Sequence, residues 1–202
     1  MYIQQLSSHF RHTMLAASVI AAMAQPVAAQ SRTLYADAPP AVRCADGVAS
    51  GKSATIALLH TCEDAMNATT SQRSVRAASM VNTGIVLMRR GETSDALALF
   101  NRASSLHDDL PGLSLNIAAA QLRAGANEDA LATLEDIEAL PDHLQHVAYF
   151  NRGLAHWRLD QVYEAYADFK TAQAIMPGYA PARNALAHFT VAPEYQAASV
   201  ND

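Results

Sequence analysis

Residues 146–179 read HVAYFNRGLAHWRLDQVYEAYADFKTAQAIMPGY, and the fold turns on this stretch. Its first half places Tyr149 and Gly153 four apart, and its second half places Ala165, Phe169 and Ala172 at steps of four and three. Those steps put each set on one face of a helix. Asp160 falls between the halves, where a tight reversal is needed. Pro177 closes the second half, because a ring without an N–H cannot continue a helix. The whole stretch is therefore a helix, a turn and a second helix.

Working outward, the same pattern returns twice upstream. The step from Gly91 to Gly125 recurs, lengthened by one, from Gly125 to Asp160. In that register Gly84, Ala118 and Gly153 coincide in the first helices, and Ala96, Ala130 and Ala165 in the second. Phe100, Leu134 and Phe169 come four positions later. The small residues belong where paired helices cross, since a larger side chain would push them apart. The large residue fills the gap beside the crossing. Pro141 and Pro177 are expected to end the second helices of units two and three.

A period of about 34 residues with this small–apolar–Gly–Ala–Phe–Pro order resembles the tetratricopeptide-repeat family. The resemblance implies an all-α, helix-turn-helix solenoid of about three repeats with capping helices: units at 77–110, 111–145 and 146–179, a capping helix at 180–190, and the N-terminal helix with its cysteines as a second cap on the other end. Unit one departs by carrying Met80 at an aromatic place and Asp108 at a proline place. Unit two carries Ser114, Ala118 and Ile137 at motif places and one extra residue. The repeat domain spans 75–190, and 191–202 form a tail.

Residues 1–29 read as a secretory signal. Arg11 and His12 precede an apolar run from Met14 to Ala24, and Val27 and Ala29 are the small residues before a cut. That run is far below the roughly 20 residues needed to span a bilayer. The expectation is an exported chain starting at Gln30, periplasmic in a bacterium and otherwise secreted, with no stable membrane span. Residues 30–50 read as an extended linker and 53–68 as a helix starting near Ser53. Cys44 and Cys62, the only cysteines, are expected to bridge in an oxidising compartment rather than remain free thiols. A formal charge of −5 argues against nucleic acid as a partner.

Three places invite a chemical reading and lose it. Asp46-Gly-Val-Ala-Ser-Gly51-Lys52-Ser53 imitates a phosphate loop, but Asp46 occupies the first glycine place and would repel phosphate, so no nucleotide is expected. His143 and His146 lack a third metal ligand nearby. The carboxylate pairs Glu135–Asp136 and Asp108–Asp109 fall on solvated positions. No cofactor, metal or catalytic group is expected. Asn67-Ala-Thr69 matches a glycosylation acceptor by pattern alone.

What remains points to binding. Asn82, Asn116 and Asn151 share one place in the first helices, and Arg89, Arg123 and Arg158 share another, seven positions on. Seven positions make nearly two turns, so amide and guanidinium lie on one stripe. Stacked first helices would turn these stripes into ladders that hold a peptide backbone and clamp a carboxylate, or else steady the stack. Phe150, Leu154 and Trp157 are the expected apolar walls of that concave groove. The reading is a protein- or peptide-binding scaffold; the rival classes are a small exported enzyme and a permanently buried structural subunit.

Overall fold

The computed structural model describes residues 3–5, 38–51, 53–68, 72–107 and 109–191. Among them run nine helices and one short ribbon: β1 (Ile3–Gln5), α1 (Pro40–Ala49), α2 (Ile56–Asn67), α3 (Arg73–Arg90), α4 (Thr93–Leu106), α5 (Leu113–Ala124), α6 (Asn127–Thr133), α7 (Asp142–Arg158), α8 (Val162–Ile175), α9 (Ala180–Leu186) and β2 (Phe189–Val191). Helices pair in order, α3 with α4, α5 with α6 and α7 with α8, and the first helix of each pair meets the next first helix. The architecture is an all-α solenoid.

Each pair reverses at the residue expected to turn it. Gly91, Gly125 and Asp160 have φ of +89°, +82° and +61°, the left-handed conformation that glycine adopts at least cost. The same closure occurs at all three. Gly91, Gly125 and Asp160 donate to Met88, Leu122 and Trp157 oxygens, and the next residue reaches back to Leu87, Gln121 and His156. Carbonyls left open by the helix end are thereby satisfied.

The crossings are tight. A Cβ on Gly84 would stand 2.4 Å from the Phe100 ring, and one on Gly153 would stand 2.7 Å from that of Phe169. Ala96, Ala130 and Ala165 are fully buried beside them. The small columns therefore let one helix rest against the aromatic ring of its partner, as their register implies.

Several boundaries differ from those expected. Residues 40–49 are helical, not an extended linker; Pro40 starts α1, where its missing N–H costs nothing. The next helix is capped by Thr55, whose Oγ1 accepts from the Leu58 N–H at 3.2 Å, rather than by Ser53. In unit two the second helix stops at Thr133, well before Pro141, which instead precedes α7. Leu134 and Ile137 stay buried although they lie past the helix, so the chain leaves α6 without leaving the core. Pro177 does lie just beyond α8, as expected. Within the segment read as a leader, Ile3–Gln5 pairs antiparallel with Phe189–Val191. The apolar run, the cleavage site, Lys52, Thr69, Asp108 and the tail from 192 fall outside the described residues.

Cys44 and Cys62 form a disulfide, both fully buried, closing α1 onto α2. Over its sequence separation of 18, such a bond contributes about 3 kcal/mol in the chain-entropy model.

The crossing sets two effects against each other. Helix propensity alone favours alanine over glycine by about 1 kcal/mol, so Gly84→Ala should stabilise α3 if the ring could yield. Overpacking costs about 1–3 kcal/mol, and the expected outcome in urea unfolding is a net loss. Phe100→Leu in the same chain should recover part of it.

Candidate binding face

The first helices bring the asparagine column together and then close it off. Asn82, Asn116 and Asn151 are 2%, 1% and 0% exposed. Asn82 Oδ1 and both amide atoms of Asn116 and Asn151 find no hydrogen-bond partner among the described residues. The ladder is present in register, but it is not the open surface that the sequence suggested. Burying an unpaired amide costs about 1–3 kcal/mol, so the column is held by the packing around it and not by its own hydrogen bonds.

Phe150, Leu154 and Trp157 are also not walls of an open groove. They are 1%, 5% and 8% exposed and belong to the core. Phe150 meets the rings of Phe169 at 5.6 Å and Tyr179 at 5.5 Å, and Trp157 meets Phe189 at 4.5 Å. Their equivalents in the other units are buried as well: Val81 and Leu115, Ile85 and Ala119, Met88 and Leu122. A stripe at steps of four and three, wedged between a partner helix and a neighbouring unit, is covered from both sides. Trp157→Ala would therefore be a core truncation, not a probe of binding.

The arginine column divides. Arg158 donates through Nη1 to the Leu122 oxygen at the end of α5, and to Asn127 Oδ1 at 3.3 Å. Arg89 donates through Nη2 to the Val48 oxygen at the end of α1, at 3.1 Å. Each arginine thus caps the first helix of the preceding pair, where cations meet the negative end of the helix dipole. Burial draws both guanidinium pKa values below the ordinary one. Arg123 is different. It makes no hydrogen bond or ion pair among the described residues, and its buried Nη1 is unpaired. It is half-buried on the same stripe as Asn116.

A second basic place lies between α3 and α4, where Arg76 and Arg102 line a cleft with Asn101 and Ser105. Arg76 makes only a 3.5 Å bond to the Ala68 oxygen, and its Nε is buried and unpaired. Neither arginine has an acidic partner among the described residues.

Reasoning from sequence missed a polar network in unit three. Arg152 grips Asp168 with two parallel bonds, Nε to Oδ2 at 2.9 Å and Nη2 to Oδ1 at 2.8 Å. Donating to this buried carboxylate raises the Arg152 pKa. The guanidinium also lies 5.2 Å from the centre of the Tyr149 ring, and the Tyr149 hydroxyl donates to Glu138 at 2.7 Å. That bond holds the Glu138 carboxyl below its usual range and raises the phenol. The available signal was a mismatch between units: Thr83 and Leu99, or Ile117 and Thr133, stand where unit three has Arg152 and Asp168. Among the described residues, no group of three or more His, Cys, Asp or Glu could hold a metal ion.

The solved structure titled "MamA RS-1 ArsTM double mutant" resembles this chain over 80% of its length and 82% of that structure's own, with a TM-score of 0.57 at 18% identity. The fold is of the tetratricopeptide type. No family model matches the chain, and no curated protein does. Identity this low carries the fold and nothing finer.

His146 supplies a pH test of unit three. It is 7% exposed, edge-on to Tyr179 at 4.8 Å, and burial holds its pKa below 6.5. The unfolded chain takes up the proton near 6.5, so the neutral ring's contribution is fully present above that pH and is lost as pH falls from there through the folded value. The urea midpoint should drop between about pH 7.5 and 5, and His146→Phe should flatten that part of the slope.

Proposed function

We propose that this chain is an exported scaffold that binds an acidic segment of a protein partner on the arginine stripe of its stacked first helices, with Arg123 as the recognising group. One observation carries the reading. Of three arginines in equivalent places, two are spent capping the helix before them, and Arg123 is not. A half-buried guanidinium with an unpaired nitrogen is suited to a carboxylate, which it can hold bidentately.

The tetratricopeptide-type fold supports a scaffold over an enzyme, since stacked hairpins present extended surfaces rather than an enclosed site. Export is supported by the three-part leader and by the buried disulfide, a bond that persists in oxidising compartments. No helix among the described residues is long and apolar enough to cross a membrane.

Two measurements test the reading. A random peptide library displayed on phage, selected on the purified protein, should yield peptides rich in Asp and Glu. Arg123→Ala should weaken them roughly tenfold or more, in line with about 1.5–3 kcal/mol for a hydrogen bond to a charged group. Loss through Arg102→Ala with Arg123→Ala silent would move the site to the cleft between α3 and α4. For export, the intact mass of protein made with its own leader should correspond to a chain beginning at Gln30; retention of Met1 in the exported fraction would refute it.

A further inference from the structure

The disulfide hairpin obeys the register of the repeats. Gly51 ends α1 with φ of +64° and donates to the Val48 oxygen three positions before it. Gly91, Gly125 and Asp160 do the same with Met88, Leu122 and Trp157. Counting back seven positions from each turn gives Gly84, Ala118, Gly153 and, in α1, Cys44. The arginine caps agree independently: Arg158 reaches Leu122, three before its turn, and Arg89 reaches Val48, three before Gly51.

The second helix agrees as well. Phe100 and Ala103 are buried in α4, Phe169 and Ala172 in α8, and Cys62 and Ala65 in α2, each pair at the same step of three. Cys62 thus stands in the phenylalanine place. Where Gly84 faces Phe100 and Gly153 faces Phe169, Cys44 is bonded to Cys62. A covalent bond between two short side chains replaces a glycine resting on a ring.

We infer that α1 and α2 are a fourth unit of the array, closed at its crossing by Cys44–Cys62, and that they extend the partner-binding face while that bond is intact. The sequence hides this unit because the step from Gly51 to Gly91 is longer than that from Gly91 to Gly125, and because Cys44, Leu58 and Cys62 stand in its crossing places. In α1 the asparagine place is taken by half-buried Val42 and the arginine place by exposed Ala49. The added rung is apolar. It fits an extended partner segment that carries an apolar side chain toward α1 and an acidic group toward Arg123. This last step rests on the scaffold reading; the register does not.

Hydrogen exchange on the full chain tests the unit without any ligand. Reduction with a phosphine and alkylation of both thiols should speed exchange across residues 40–67 about tenfold or more, while residues 142–175 stay protected. Unchanged protection of 40–67 would overturn closure by the disulfide. In oxidised protein Arg89→Ala should speed exchange of the Gly51 amide as Arg158→Ala speeds that of Gly125. Faster exchange at Gly125 alone would overturn the register. For the face itself, peptides selected from the phage library on oxidised protein should carry an apolar residue to one side of their acidic one. Val42→Asp should weaken them about tenfold and Val42→Leu should not. Selection blind to Val42 but dependent on Arg123 would overturn the extended face and leave the Arg123 site standing.

Discussion

The close approach of paired helices governs this molecule. Gly84 and Gly153 have no Cβ, and the rings of Phe100 and Phe169 occupy the space that one would take. With the helices this near, alanines at 96, 103, 165 and 172 suffice to fill the remaining gap, and all four are fully buried. Each hairpin then becomes a flat unit with apolar surface on both sides, which no unit can bury alone. Stacking results from that unmet surface. In the stack the ends of α1 and α5 come within reach of Arg89 and Arg158, which cap them.

Equivalence of sequence position does not bring equivalence of role. Arg89, Arg123 and Arg158 lie in one column, and the first and last are tied to backbone carbonyls of the preceding hairpin. Such ties are local: they need a carbonyl at the right height on the neighbour. Unit two has a second helix of seven residues, where α4 and α8 have fourteen each. Its chain continues through Leu134 and Ile137 as buried but non-helical backbone, and then reaches Glu138, which receives the Tyr149 hydroxyl. The repeat is thus most regular in its helix crossings and least regular in the segments that join one hairpin to the next.

Polar groups show the same division. Arg152 and Asp168 are mutually satisfied by two short bonds, the arrangement that lets a carboxylate be buried to 6% exposure with its oxygens paired. The asparagine column has no such answer among the described residues. A covalent bond does in the first hairpin what packing does elsewhere, which makes that hairpin dependent on the oxidation state of two sulfur atoms.

Period, turn residues and crossing columns were legible in the residues themselves, because they are local demands. A left-handed turn selects glycine or aspartate at 91, 125 and 160, and a tight crossing selects glycine or alanine seven positions earlier. The pairing of Cys44 with Cys62 came from count and compartment alone. Exposure was not legible. Phe150, Leu154 and Trp157 share a stripe whether that stripe faces solvent or a neighbour, and only Phe169, Tyr179 and Phe189 arriving from other elements bury it. The helix at 40–49 was hidden for a related reason: the groups that hold it, Cys62 and Arg89, come from α2 and α3, remote in the chain from Cys44 and Val48. Periodicity reports which side chains share a face; burial depends on what the rest of the chain sets against that face, and only the tertiary structure decides it.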